Sequence, residues 1–387
     1  MNRRAFVRTM CLGGLATFGR PTVNFARVPS KGRLVFVLLR GGFDGLAAVV
    51  PYGDPDYGSL RPGASFAPAD LVVLDGLFGL APGLAPLREF WDRNELVAVH
   101  AMAIPYRTRS HFDGQAVLET GLDKPIGSSD GWLNRLLQGM SGTRAGIAIA
   151  SGVPRSMTGP FSVQTWSPAQ LGAVEDEYLQ RLASLYRHDP RLQGPFEAAL
   201  QQQDVIGEEP MARGGTRRGA IAPLLQATAR IMRTETGPNV AALEFSGWDT
   251  HANQGLAGGA LDRLLGQLAE GLATFRTEMG AAWNDTTVVV MTEFGRTARL
   301  NGTRGTDHGT AGAGFMLGPR VARSVVLADW PGLSGRALFE GRDLKPTLDT
   351  RAVLKAAIAG TLDLTPAQAD RVFPSSAAAP GTYHVMA

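Results

Sequence analysis

The sequence predicts an α/β fold, a doubly wound, mostly parallel β-sheet with helices on both faces. Three observations predict it. Apolar strand-like runs alternate with helix-like segments along the chain, as repeated βα units require. The runs RLVFVLL (33–39), ELVAVHA (95–101), NVAALEF (239–245) and TTVVVMT (286–292) are continuously apolar, as strands buried on both faces are. Acids and histidines gather at the carboxyl ends of these runs: Asp44, His100, Asp249 with His251, and Glu293. Open α/β sheets bind ligands in the crevice outside those ends.

The first segment, MNRRAFVRTMCLGGLATFGRPTVNFA, reads as an export signal. Arg3-Arg4 with Phe6 two residues later follows the twin-arginine pattern. The apolar stretch from Thr9 to Phe18 is too short for a bilayer, which takes about 20 residues. The expectation is a leader over 1–30, one α/β domain over 31–387, a periplasmic or secreted destination, and no permanent membrane span. The twin-arginine translocase would then be a partner during export. Cys11, the sole cysteine, lies in the leader, so a metal site in the body would have to use His, Asp or Glu. The leader also explains the basic charge. Removing 1–30, with its five arginines and no acid, turns the net charge of +3 into −2. Nothing in the body resembles the clustered basic face of a nucleic-acid binder.

RLVFVLL ends in Arg40-Gly41-Gly42-Phe43-Asp44-Gly45, and residues 51–70 are loop-like in composition. Residues 84–94 place Leu84, Leu87, Phe90 and Trp91 on one helical face. After ELVAVHA, Thr108 to Phe112 open a helix to about Thr120. Asp130 is placed to cap GWLNRLLQGM. AGIAIAS (145–151) reads as a strand, 174–187 as an amphipathic helix, and the polar, glycine-rich 201–219 as a surface insertion. A helix near 220–235 precedes NVAALEF, which leads into Ser246-Gly247-Trp248-Asp249-Thr250-His251. A helix over 256–278 leads to TTVVVMT and Glu293. GAGFMLG (312–318) and SVVLA (324–328) are short strands, Asp349 caps a helix to about Gly360, and Pro366 starts a last short one.

Asp44, Asp249, His251, Glu293 and His308 together offer three carboxylates and two imidazoles, the donors a divalent cation takes in a cysteine-free site. Zinc, magnesium, manganese and calcium all remain open. Glycines beside them allow close backbone approach. Each residue has a plainer reading. Asp44-Gly45 is turn chemistry, Asp249 could cap a segment, Glu293 could pair with Arg296 or Arg299, and Asp307 could orient His308. His100 reads better as a histidine at the edge of the core than as a ligand. Ser110, where a strand-end loop opens a helix, is the candidate nucleophile, with Thr108 weaker. His111, Arg107 and Arg109 are nearby cations for an anionic substrate, and His111 is a catalytic candidate.

RGGFDGLAAVVPYGDPDYGSLRP, RSHFDGQ, GWDTH, TEFGRT and GTDHG, in that order behind a twin-arginine leader, resemble the exported family catalogued as domain of unknown function 1501. That family is similar to the alkaline phosphatase and sulfatase superfamily. The resemblance implies a doubly wound sheet and metal-dependent hydrolysis of phosphate or sulfate esters, small-molecule or from the cell envelope. It makes Asp44 the first-strand acid, Ser110 the nucleophile, and Asp249, His251, Glu293 and His308 metal ligands. Two features depart from the superfamily pattern. Glu293-Phe294 stands where an Asp-His pair is usual, and Asp249 and His251 are closer together than expected. With no cysteine at the nucleophile position, a formylglycine sulfatase is excluded. The alternative is a non-catalytic exported binding or scaffold protein that keeps the fold and at most one structural metal, with a second exported protein as its partner.

Overall fold

Strand β1, Arg33–Arg40, shows how the molecule is layered. Successive strand side chains point to opposite faces, and every residue from Leu34 to Leu39 is buried. Val35, Val37 and Leu39 enter one hydrophobic core, while Leu34, Phe36 and Leu38 enter another. A strand buried on both faces needs cover on both faces, and that is why its sequence does not alternate.

The computed structural model describes residues 31–127, 130–140, 146–168, 176–187, 189, 192–194, 196–197, 221–374, 376, 379 and 381–387. The expected leader (1–30) and surface insertion (201–219) lie outside them, as do the first two residues of the helix expected over 174–187, which is described from Asp176 to Tyr186.

Among the described residues nine strands form the main sheet: β1; β2, Leu96–Ala103; β3, Gly146–Ile149; β4, Gln164–Trp166; β5, Val240–Ser246; β6, Thr286–Met291; β7, Gly312–Leu317; β8, Val325–Leu327; and β9, Leu348–Asp349. Their order is β8-β2-β7-β6-β1-β5-β3-β4, with β9 also paired to β2. All neighbours run parallel except β7, which is antiparallel to both β2 and β6. The sheet is therefore mostly parallel, as expected. The direction of β7 and the presence of β4 were not foreseen.

The helices that matter here are α1, His111–Thr120; α2, Trp132–Gly139; α3, Ile221–Met232; α4, Ala260–Met279; and α5, Thr350–Leu362. Ile221 and Leu225 of α3, with Leu265, Leu268, Leu272 and Phe275 of α4, fill the core under Val35, Val37 and Leu39. Val117, Trp132, Leu136, Val353 and Ile358 of α1, α2 and α5 fill the opposite core. Among the described residues no helix is long and apolar enough to cross a membrane.

Some boundaries differ from expectation for local reasons. The helix expected over 84–94 is a 3-10 turn, Pro82–Leu87, followed by a short α-helix, Arg88–Asp92. Pro86 has no N–H to offer a continuous α-helix. Gly131, not Asp130, occupies the cap position of α2. Asp349 does cap α5, its carboxylate accepting from Arg351 N–H. Near the loop expected over 51–70, a small antiparallel sheet pairs Val49–Val50, Gly79–Leu80 and Val72–Val73.

Candidate metal centre

Parallel pairing puts the carboxyl ends of β1, β5 and β6 side by side. Arg40 pairs with Ser246 and Leu38 with Met291, so Gly41, Gly247 and Glu293 emerge at nearly one level. Because β7 runs the other way, the 292–311 loop leaves β6 and re-enters the sheet at that same edge. It therefore returns His308 to the place where Glu293 left. Two glycines let the loops touch. Gly41, at φ +126°, lies so close to the next loop that a Cβ would meet Asp249 N at 2.5 Å. A Cβ on Gly305 would meet the His251 carbonyl carbon at 2.2 Å. These close approaches are made between loop backbones.

Glu293 is wholly buried. Its Oε1 accepts from Gly41 N–H (2.9 Å), Gln115 Nε2 (3.0 Å) and His111 Nδ1 (2.7 Å). Burial pushes its carboxyl up, but these hydrogen bonds outweigh burial and hold it below the usual carboxylate range. An ionised carboxylate only accepts, so His111 Nδ1 carries the hydrogen. His308 Nδ1 faces the Arg109 carbonyl at 3.0 Å and donates to it. His251 Nδ1 lies 3.2 Å from Asp307 Oδ1. Asp307 is itself held low by a hydrogen bond from Asn301, which outweighs the opposing effect of burial. All three imidazoles thus spend their Nδ1 hydrogen on an oxygen, and in the neutral ring each Nε2 keeps a bare lone pair.

Those lone pairs converge. His308 Nε2 is 2.9 Å from His111 Nε2 and 3.0 Å from His251 Nε2. Asp249 Oδ1 lies 3.0 Å from His251 Nε2 and 3.2 Å from His308 Nε2, and its Oδ2 lies 3.5 Å from His111 Nε2. Acceptors at such distances repel unless positive charge stands between them. A proton on one ring satisfies one contact; a divalent cation would satisfy those among His111, Asp249 and His308 together. A tetrahedral centre with bonds of about 2.0–2.1 Å has donor–donor edges of roughly 3.3–3.4 Å, and the observed contacts span that value. Donor atoms of His111, Asp249 and His308 all lie within 4.8 Å of one another. His251 adjoins His308 and Asp249 and is the most exposed of the four. The residues fit a divalent cation. The arrangement also repeats a familiar device of metal proteins, in which an outer oxygen fixes each ring's tautomer and aim.

The three expected carboxylate ligands stand differently. Asp249 borders the imidazoles. It is held low by Arg296, whose Nη1 reaches Oδ1 and outweighs the effect of burial. Asp44 is 1% exposed and paired twice to Arg61, at 2.7 and 3.0 Å, with Gln254 adding a bond at 2.7 Å. Burial would raise its carboxyl, yet Arg61 holds it low. Glu293 meets the cluster only through His111. At each of these three acids the positive or donating partner is already supplied by the chain.

Ser110 caps α1 and makes no side-chain capping bond, immediately before His111. Arg109 is not a free cation for substrate, because its guanidinium is held by Asp343 and Glu340. Arg107 donates to the Ile104 and Tyr106 carbonyls. Thr108 is exposed. His100 is fully buried, its Nε2 donating to the Val49 carbonyl and its Nδ1 accepting from Ala101 N–H. Burial lowers it to about 4. Asp307 orients His251, not His308. Glu293 pairs with neither Arg296 nor Arg299. Reasoning from sequence missed Gln115, Arg61 and Arg296 as supports, and took His111 for a residue facing the substrate. One signal was available: His111 and Gln115 are one helical turn apart, and both reach Glu293.

The family model described as "Protein of unknown function (DUF1501)" matches residues 91–373. No curated protein matches the chain. Among solved structures, it is similar to the zinc complex of the C-terminal periplasmic domain of EcEptC from Escherichia coli. That match has 11% identity and TM-score 0.32, over 74% of this chain and 73% of that one. It is also similar to the phosphonate monoester hydrolase of Agrobacterium radiobacter, at 12% identity and TM-score 0.31, over 76% and 70%. A third is a protein in the alkaline phosphatase superfamily from Vibrio parahaemolyticus, at 12% identity and TM-score 0.31, over 79% and 64%.

Proposed function

The chain belongs to the family of proteins of unknown function designated DUF1501, and we propose that it is an exported metal-dependent hydrolase of phosphate or sulfate esters. One observation carries the reading. Three imidazole Nε2 atoms and the Asp249 carboxylate crowd together while every Nδ1 is committed elsewhere. A divalent cation bound there would neutralise ester oxygens and activate a nucleophile.

The chain's own residues have distinct tasks in this reading. His111, Asp249 and His308 hold the cation, and His251 joins from the exposed side. Glu293, Asp307 and the Arg109 carbonyl set the three tautomers. Arg296 fixes the Asp249 carboxylate. Ser110 is the nucleophile. Its hydroxyl sits at the start of α1, where the first-turn N–H groups have no intrahelical partner and favour an anion. All four donor residues are partly exposed, which suits a centre that admits substrate better than a closed structural site. The leader motif supports export through the twin-arginine translocase to the periplasm or beyond.

The test is metal content by mass spectrometry and ester turnover for the parent, His308→Ala and Ser110→Ala, each purified without chelator. The parent retains about one divalent ion per chain and cleaves a phosphate or sulfate ester. His308→Ala loses the ion, and Ser110→Ala keeps it and loses turnover. Equal metal in all three removes the centre. Metal retained with no ester cleaved under any divalent cation moves the reading to a non-catalytic exported binding protein.

A further inference from the structure

A cleft of about 620 Å³ is lined by Phe112, Asp113, Ala116, Pro125, Ile126 and Arg155. Phe112 and Ile126 are each 87% exposed, more than any other large apolar side chain among the described residues. Their placement ties them to the centre. Phe112 follows His111 directly on α1. Ile126 lies in the segment that leaves α1, and Arg155 follows β3 at the same carboxyl edge of the sheet. Helical spacing divides α1 into two faces. His111, Gly114 and Gln115 meet Glu293 and Phe294, while Phe112, Asp113 and Ala116 face the cleft. Arg155 donates to the Pro125 carbonyl, and no ion pair to an acid is formed by it among the described residues.

Two large exposed apolar side chains, one of them the chain neighbour of His111, would suit the apolar end of an amphiphile whose anionic head is held at the proposed centre. We propose that this cleft seats the apolar chain of the substrate, so that the preferred ester carries an alkyl or aryl group beside its anionic head. The proposal rests on the metal centre as the seat of that head. The head lies at the histidines and the start of α1. The chain runs over Phe112 and Ile126, covering surface that is otherwise wet. Covering apolar surface is favourable in proportion to its area, so affinity should grow with chain length.

The experiment uses the zinc-loaded protein and two stable anions, methylphosphonate and octylphosphonate, with binding followed by calorimetry. Octylphosphonate should bind about tenfold or more tighter than methylphosphonate. In the exposed double variant Phe112→Ser, Ile126→Ser that ratio should fall to near one, with zinc content checked by mass spectrometry. Equal affinity for both anions in the parent overturns the cleft while leaving the centre in place. Failure of both anions to bind overturns the centre and the cleft together. A preference for octyl that survives in the double variant places the chain elsewhere and overturns the assignment. Concentration-dependent dimerisation abolished by the double variant, with no chain-length dependence, assigns the patch to a second copy of this chain and also overturns it.

Discussion

His111 and His308 face each other through their Nε2 atoms at 2.9 Å, each with its Nδ1 tied to an oxygen on a different loop. Neither ring can turn to relieve the contact without giving up that tie. The approach is therefore built in by Glu293 on one side and the Arg109 carbonyl on the other.

Removing either ring should abolish retained metal, whereas Glu293→Gln should only weaken it. The amide oxygen of glutamine can still accept from His111 Nδ1, but without the charge that makes the imidazole a stronger donor to a cation. Loss of such an outer partner typically costs 10–100-fold in metal affinity. Competition against a chelator of known affinity measures it. If Glu293→Gln lost all metal, the carboxylate would be a ligand itself and the imidazole cluster would be wrongly assigned.

The sheet could be read from the chain because strands buried on both faces leave uninterrupted apolar runs, and RLVFVLL and TTVVVMT are such runs. The direction of β7 could not, because GAGFMLG looks the same whichever way it enters the sheet. At the site, the sequence placed Asp249 with His251 and Glu293 after the carboxyl ends of apolar runs, and offered His308 as a further donor. The division of labour among the acids was not. Whether a buried carboxylate meets a cation or a side chain depends on what stands opposite. Arg61, which meets Asp44, comes from a loop with no periodicity to announce it. Glu293 meets His111 and Gln115 from another element. Such pairings are set by tertiary packing.

Asp44→Asn should leave metal content unchanged and destabilise the fold. Asp44 and Arg61 are both about 1% exposed, and removing one charge of a buried pair strands the other, typically at about 3–5 kcal/mol. Urea midpoints and metal analysis on the same preparations separate the two effects. Loss of metal with an unchanged midpoint would make Asp44 a ligand.

Asp343→Asn should loosen the centre without touching it. Asp343 is fully buried and holds Arg109 Nε at 2.8 Å and the Thr310 hydroxyl at 2.6 Å. Arg109 has left-handed backbone, φ +64°, uncommon outside glycine, and its carbonyl aims His308. Arg342, which also contacts Asp343, donates to the His308 carbonyl at 2.9 Å. Metal affinity should drop by about tenfold, and the visible absorption of the cobalt-substituted protein should shift. An unchanged cobalt spectrum with a lowered melting temperature would make Asp343 a purely structural anchor.

The pH dependence of stability should carry the mark of His100, away from the metal centre. The ring is caged by Phe78 and Trp330, donates to the Val49 carbonyl and accepts from Ala101 N–H. Both nitrogens are satisfied only in the neutral form, and a second proton would displace the Ala101 contact inside a dry core. Burial thus lowers the folded value to about 4, while the unfolded chain titrates at the ordinary value of 6.5. Below about 6.5 the unfolded state takes up the proton and the folded state does not, so folding weakens as pH falls. The loss continues until pH reaches the folded value. Between pH 7 and pH 5 this one group should cost on the order of 2 kcal/mol. Other groups titrate over the same range, so the measurement is a difference. Urea unfolding at both pH values is compared for the parent and His100→Gln, which cannot titrate. The variant starts from lower stability because its fit in the cage is worse, but its loss between the two pH values should be smaller by about that amount. Parallel losses in the two proteins would mean that His100 takes up its proton in the folded state, and that the cage opens more easily than its burial implies.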